Sequence, residues 1–504
     1  MQHSTKLLFN TIASYARILV NTIVTLLATR IALKYLGADD FGLFNLIAGI
    51  VVLLSFINGS LLISSQRYFS ITIGEKRIKK LQKYFNASLG IHFILASVIS
   101  IILIAITPIL FNGFLNINVE KITIAKEIYY IMIASTAFTI GTIPFSAIIN
   151  AYEDLVALSL FDIISCFIKL FAAISLLYID NNLLISYSLF MLFAVIIKMI
   201  MEIVWSKIRY KQVNLLRNQI IDISIYKEML SFIGWNTLGS LAVLVRNQGI
   251  AIVLNIFFGT IVNAAYGIAN QVNSLVLSFS STLTTVFTPS IIQAKGAGDE
   301  KRMMKIAIFS SKMSFLLSSA LALPILIFLK SILDIWLDTY PSCTIDFCKF
   351  IILSFLILQL YPGINRAIYA NGNIKYYQIS ISIALILIIP IGTFCFKNGF
   401  SPSTILIIMF FSQLCTLFIT IYFGHKLCKL SMAEFIKKSV IVPFSLFYTF
   451  FYICKRIPII ASCNITEIII CSIIINSIYF ITFYFIALNH EERCMIARII
   501  KIKR

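Results

Sequence analysis

Apolar stretches long enough to cross a lipid bilayer recur along the whole chain, with no connection between them large enough to fold alone. A helix spans the hydrocarbon with about 20 apolar residues, and in lipid the backbone must satisfy its own hydrogen bonds, so helices are expected. Fourteen stretches qualify: 11–33, 42–64, 87–111, 128–149, 156–179, 183–205, 230–257, 262–285, 307–329, 350–369, 377–396, 404–424, 438–453 and 467–488. The weakest are the thirteenth, broken by Pro443, and the tenth, which carries Pro362 and Gly363. Only 12% of the 504 residues are charged, too few to cover such a chain in water. The class is therefore an all-α, multi-pass membrane protein.

Its charge is lopsided, with 41 Lys and Arg against 21 Asp and Glu. In a soluble domain that excess would point to nucleic acid, but cytoplasmic loops of membrane proteins collect basic residues during insertion. With the N-terminus inside, twenty-six basic residues fall on the inner side and eight on the outer. That split requires both termini in the cytoplasm and an even number of spans. Arg17 and Arg30 in the first apolar stretch argue against a removable signal peptide. The longest outer loop, roughly 330–349, and the longest inner connection, roughly 206–227, leave little room for chemistry outside the bilayer. The ten cysteines form no metal-binding pattern, although Cys343 and Cys348 could pair across the outer loop. The N-x-S/T triplets at Asn58, Asn86 and Asn464 lie in or beside apolar segments, unsuited to glycosylation. Neither a cofactor nor a metal is implied.

Shifting the chain against itself by about 222 residues gives an internal match. LKYLGADDFGLFNLIAG near Leu33 aligns with LNIFFGTIVNAAYGIAN near Leu254, placing Gly37 on Gly259 and Phe44 on Tyr266. A two-residue slip then brings the basic loop at Gly74 over the one at Gly298. Six spans separate the copies, so both have the same orientation, as in parallel repeats that enclose a binding site. The expected architecture is two six-helix bundles, 1–210 and 211–430, followed by 431–504 with a C-terminal helix pair and a basic tail.

A cation within the bilayer costs several kcal/mol unless it faces protein, water or a counter-ion. Arg17, Lys169, Lys198 and Arg246 lie deep in their spans, whereas Arg30, Arg67 and Lys312 lie near span ends and can snorkel. Lys198 and Glu202, four residues apart, are expected to neutralise each other, leaving Arg17, Lys169 and Arg246 without an evident partner. Polar stripes accompany them: Asn10, Arg17 and Asn21 in the first span, Asn236, Ser240 and Asn247 in the seventh, Asn263, Asn270 and Ser274 in the eighth. Such amides either tie helices together or line a cavity. A shared, water-filled cationic cavity would suit an anion, since guanidinium groups grip phosphate bidentately. Its natural ligand is a phosphate-bearing amphiphile. Prolines 144, 289, 324, 362 and 390 would let the helices bend.

GWNTLGSL at Gly234, NQGIAIVLNIFFGTIVNAAYGIANQVN from Asn247, PSIIQ at Pro289 and LGADDFGLFNL after the first span resemble the polysaccharide (O-antigen-type) flippases. These belong to the multidrug/oligosaccharidyl-lipid/polysaccharide exporter superfamily. The resemblance implies a fourteen-helix, alternating-access transporter of the bacterial inner membrane. It would move undecaprenyl-diphosphate-linked oligosaccharide outward for lipopolysaccharide or other surface polysaccharide, with a polysaccharide polymerase and other pathway proteins as possible partners. On that reading Arg17, Arg246 and Lys169 meet the diphosphate, while Asn21, Asn236, Asn247, Gln248, Asn270 and Ser274 meet glycan or line the cavity. Where many relatives carry an acid in the seventh span, this chain has Arg246-Asn247-Gln248, which argues against simple carboxylate-based ion coupling. The alternatives are a multidrug exporter of the same fold, which would need buried carboxylates for organic cations, and a membrane glycan polymerase or ligase. No outer loop here could carry the catalytic residues of the latter, and no catalytic residue is assigned.

Overall fold

A computed structural model of the chain describes residues 2–52, 56–111, 117, 119–179, 182–210, 222–337, 340–456 and 465–494. Parts of the second span, of the inner connection after 207 and of the outer loop after 330, together with Asn464 and the tail past Cys494, lie outside the described residues. Every regular element within them is helical. The chain runs through α1 (Gln2–Val52), α2 (Phe56–Gly74), α3 (Ile78–Ile109), α4 (Ile122–Ala151), α5 (Leu155–Ser175), α6 (Leu183–Arg209) and the long α7 (Ile223–Gly296). It continues through α8 (Glu300–Ile327), α9 (Leu329–Trp336), α10 (Thr344–Leu358), α11 (Pro362–Asn371), α12 (Lys375–Ile386), α13 (Ile388–Lys397) and α14 (Thr404–Cys428). Last come α15 (Met432–Phe435), α16 (Val442–Lys455) and α17 (Ile465–Ile486).

Eleven of these stretches are long and apolar enough to cross a membrane, and the bent pair α10–α11 makes up to twelve. The fourteen expected spans are not all recovered among the described residues. The second is interrupted by residues 53–55, and the part of α7 beyond Gly259, rich in Asn and Ser, does not qualify although it is helical. Lipid-facing apolar side chains coat these helices: Phe93, Phe171 and Ile256 are among the most exposed large hydrophobes. In water such a surface would drive aggregation; in a bilayer it is the solvated face.

Four kinds of local break follow from sequence. Both α1 and α7 turn at a glycine, Gly37 (φ 77°, ψ 169°) and Gly259 (φ 78°, ψ −170°), a region open only to glycine. These are the two glycines that the internal match superposes. The thirteenth span is not broken by Pro443: α15 and α16 join through a π-helical turn over Ile436–Ile441, which carries the chain past the missing amide. The tenth does bend, by 45° between α10 and α11. Farther on, the step from α12 to α13 at Leu387 sits just ahead of Pro390, whose ring crowds the carbonyl four residues earlier.

The chain divides into two compact units, one of Phe9–Thr237 and one of Leu238–Arg504 with Met1–Leu8. In the first, α4 packs against α2, α3 and α6, and α5 against α6. In the second, α8 packs against α10, α11, α16 and α17, while α14 covers α10 to α13. The approach of α11 to α8 depends on Gly363, whose amide donates to Ser311 Oγ at 3.0 Å. A Cβ there would stand 2.0 Å from the carbonyl oxygen of Ala307, a backbone atom that cannot swing away. Gly363→Ala should therefore cost about 1–3 kcal/mol by overpacking, read as a lower unfolding midpoint in detergent. A midpoint equal to wild type would show that α8 and α11 yield to the added methyl. Cys343 and Cys348, which could have bridged the outer loop, are both free, and Cys348 is buried.

Candidate functional site: a charged cavity and an acid-free tyrosine cluster

Helices α1, α2, α4, α5 and α6 of the first unit surround a polar cavity of about 490 Å³. From α1 come Asn21 and Thr25, from α2 Asn58, from α5 Asp162, Ser165 and Lys169, and from α6 Lys198. Thr139, Thr142 and Ser146 of α4 line it at a spacing that places them on one helix face. Apolar lining would have been the cheap solution inside lipid, so the polarity needs a purpose.

Asp162 is the node of this cavity. Its Oδ2 accepts from Arg17 Nη1 at 2.7 Å, and its Oδ1 lies 2.6 Å from Lys198 Nζ. Glu202, fully buried, accepts from Ser146 Oγ and stands 3.8 Å from Lys198. Two expectations are thereby corrected. Arg17 is not unpartnered, and Lys198 is matched first by Asp162 and only secondarily by Glu202. Helical spacing made Glu202 visible from Lys198, whereas Asp162 reaches both cations across helices, 145 residues from Arg17. Lys169 has no carboxylate at ion-pair distance among the described residues, and it lines the same cavity. Asn21 Oδ1 is buried without a hydrogen-bond partner there, an acceptor left for water or a ligand. Three cations thus share two carboxylates.

Asn10 belongs elsewhere: its amide donates to the backbone carbonyl of Glu153 at 2.7 Å and pins the turn between α4 and α5. Asn236 is buried, with 3% of its surface exposed, near the end of this unit. Of the residues read as substrate contacts, the cavity gathers Asn21 and Lys169, with Arg17 joined to it through Asp162.

Arg246, Asn247, Gln248, Asn270 and Ser274 stand on the part of α7 that lies in the second unit. Arg246 donates to its neighbour Asn247 Oδ1 through Nε at 3.1 Å and Nη2 at 2.9 Å. Asn247 and Gln248 are exposed. Asn270 donates to the Tyr266 carbonyl at 3.0 Å and Ser274 to the Gln271 carbonyl at 2.7 Å, so both turn back on their own helix. The titratable side chains near Arg246 are the neutral phenols of Tyr266 and Tyr361. A second guanidinium, Arg366 on α11, lies over Tyr369 at 5.8 Å from the ring centre. Tyr361 is fixed by Thr416 at 3.0 Å, Tyr377 by Thr420 at 3.1 Å, and Tyr369 accepts from Gln378 at 2.8 Å.

No acid occurs between Leu238 and Gly298 or between Phe347 and Ala433, the two stretches that hold these arginines and tyrosines. Arg366 is one of the twenty-six basic residues that the charge count puts on the inner side, and the tyrosines around it carry no assignment from sequence. The signal was there, in four Tyr between 361 and 377 beside that lone Arg.

Residues 219–394 match the model of the MatE family. No curated protein matches the sequence. Among solved structures the chain is similar to a proline-to-alanine mutant of a MATE protein, with a TM-score of 0.72 and 16% identity over 86% of this chain and 97% of that one. It is also similar to an outward-facing multidrug resistance MATE transporter of the MOP superfamily, with a TM-score of 0.70 and 14% identity over 84% and 96%. A third is a MOP superfamily transporter from Pyrococcus furiosus, described as having a binding pocket of reverse polarity that suggests a different function. It has a TM-score of 0.68 and 15% identity over 86% and 96%. The fold is that of the MATE transporters.

Proposed function

We propose that this chain is a transporter of the bacterial inner membrane that translocates an anionic, lipid-linked oligosaccharide by alternating access, the diphosphate being drawn by Arg246 and the glycan by neighbouring amides. The observation that carries this reading is the acid-free setting of Arg246 and Arg366. A guanidinium among tyrosine hydroxyls, with no carboxylate at ion-pair distance among the described residues, favours an incoming anion and repels an organic cation. A binding pocket of reverse polarity, suggesting a different function, has been described for the Pyrococcus furiosus structure of this fold, so the fold accommodates pockets of either polarity. Tyr361, Tyr377 and Tyr369 are buried and already bonded to Thr416, Thr420 and Gln378, so they form a neutral setting for these guanidiniums rather than a surface for the cargo.

Reconstituted vesicles test this directly. With a fluorescent undecaprenyl-diphosphate oligosaccharide, wild-type protein should speed leaflet exchange, and Arg246→Gln should slow it at least about tenfold through loss of a charge-assisted contact. Exchange at the wild-type rate in the variant would remove Arg246 from the cargo path. The multidrug reading draws on Asp162, which lines the first unit's cavity, and on Glu202, buried beside it against Lys198. Uptake of an organic cation such as ethidium by the same vesicles, lost in Asp162→Asn, would replace the flippase reading with that one. Growth of the glycan chain without exchange would make the protein an enzyme.

A further inference from the structure

Lysines on a cytoplasmic loop need no ligand to explain their number, because insertion accounts for it. Their convergence on a recess is another matter. At the lysine-rich end of the second unit a recess of about 430 Å³ opens between the start of α8, the turn before α15 and the segment that follows α17. Lys301, Lys305 and Lys312 enter it from a single face of α8, at i, i+4 and i+11, with Met304 and Ile308 between them as an apolar wall. Lys429 and Lys438 close the opposite side above Leu430 and Phe435. Five lysines there face three glutamates, Glu434, Glu491 and Glu492.

The glutamates are not equivalent. Glu492 grips the buried Lys312 at 2.9 Å, and both side chains are at most 8% exposed. Glu491 meets Lys305 at the same distance and Glu434 meets Lys438 at 2.8 Å, but the side chains of both pairs are more than half exposed. Exposed pairs of this kind hold weakly and exchange readily with other ions. Lys301 forms no ion pair among the described residues. A cationic mouth over an apolar wall, at the end of a helix bundle, is the arrangement that receives lipid phosphates between membrane helices.

We propose that this recess binds a phosphate-bearing headgroup through Lys301, Lys305 and Lys438, and that Glu491 is an internal competitor which the phosphate displaces, whereas Lys312 and Glu492 are its fixed floor. Either a membrane phospholipid or a soluble phosphomonoester could supply that chemistry. The site is independent of the cargo, and its test involves no transport, so failure of one proposal leaves the other standing.

The full-length protein, purified in detergent, is titrated with phosphatidylglycerol, with phosphatidylcholine and with glycerol phosphate, and bound molecules are counted by native mass spectrometry. The doubly substituted Lys301→Gln/Lys305→Gln protein, altered only at exposed positions, should hold phosphatidylglycerol about tenfold more weakly, and Glu491→Gln about fivefold more tightly. Opposite shifts from these two variants support the site. If glycerol phosphate shows them too, the ligand is a free phosphomonoester; if it does not bind, the ligand is the lipid headgroup. Unchanged affinity in the double variant, equal retention of phosphatidylcholine, or weaker binding by Glu491→Gln overturns the proposal.

Discussion

Glu492→Gln is expected to lower stability by about 3–5 kcal/mol, since it removes one charge of a buried pair and strands the other. Lys312 Nζ lies 2.9 Å from Glu492 Oε2 and 3.1 Å from the Ala487 carbonyl, and its side chain is 2% exposed. Glutamine keeps the shape and one acceptor, but the ammonium loses its counter-charge where water cannot replace it. The same carboxylate oxygen accepts the Asn489 amide at 2.8 Å, while Asn489 Oδ1 accepts the Glu492 amide at 2.8 Å. This reciprocal cap fixes the turn after α17 and places the segment against α8. Loss of the charge should therefore loosen the C-terminal segment first, visible as proteolytic clipping there before global unfolding. The control is Lys312→Met. With no buried cation to strand, adding Glu492→Gln should cost less than about 1 kcal/mol more. A full-sized penalty in the Met background would assign the effect to the cap alone.

The contrast between Lys312 and Arg246 shows where sequence reading stops. Both are cations in apolar stretches, and position within the span suggested that Lys312 snorkels. Its partner is 180 residues away, in a segment after the last span that looks like a plain charged tail. Hydropathy reports the length of a helix and nothing about what its polar face meets. For the same reason most of the spans were legible, since about 20 apolar residues leave a helix no alternative in lipid. The eighth illustrates the converse: α7 beyond Gly259 is helical, but Asn263, Asn270 and Asn273 dilute the apolar signal that hydropathy reads. Gly37 and Gly259 were legible as a matched pair, and their common φ near +77° supplies the physical reason that both must be glycine. The node at Asp162 was not legible. A lone acid in an apolar helix announces a buried charge, but the choice between Lys169 on its own helix and Arg17 or Lys198 on others is made by packing.

Asp162→Asn should cost about 2 kcal/mol, less than a fully buried pair because Arg17, Lys198 and Asp162 keep between a fifth and a third of their side-chain surface exposed. One carboxylate here holds two cations, from α1 and α6, so among the described residues its neutralisation leaves Arg17, Lys169 and Lys198 opposed by Glu202 alone. Mutual repulsion would open the contact of α1 with α5. The role of Arg17 turns on this. If its guanidinium serves Asp162, Arg17→Gln and Asp162→Asn lower the unfolding midpoint together. The double variant then loses less than their sum, with a coupling of about 1–3 kcal/mol. If Arg17 instead serves the diphosphate, Arg17→Gln abolishes leaflet exchange while the midpoint hardly moves, and the two substitutions add. The 2.7 Å contact favours the first outcome. Lys169, which lines the cavity without a carboxylate at ion-pair distance among the described residues, is then the cation of this cavity left for an anionic ligand. Lys169→Gln should slow exchange at unchanged stability, the reverse of what Asp162→Asn does to the fold.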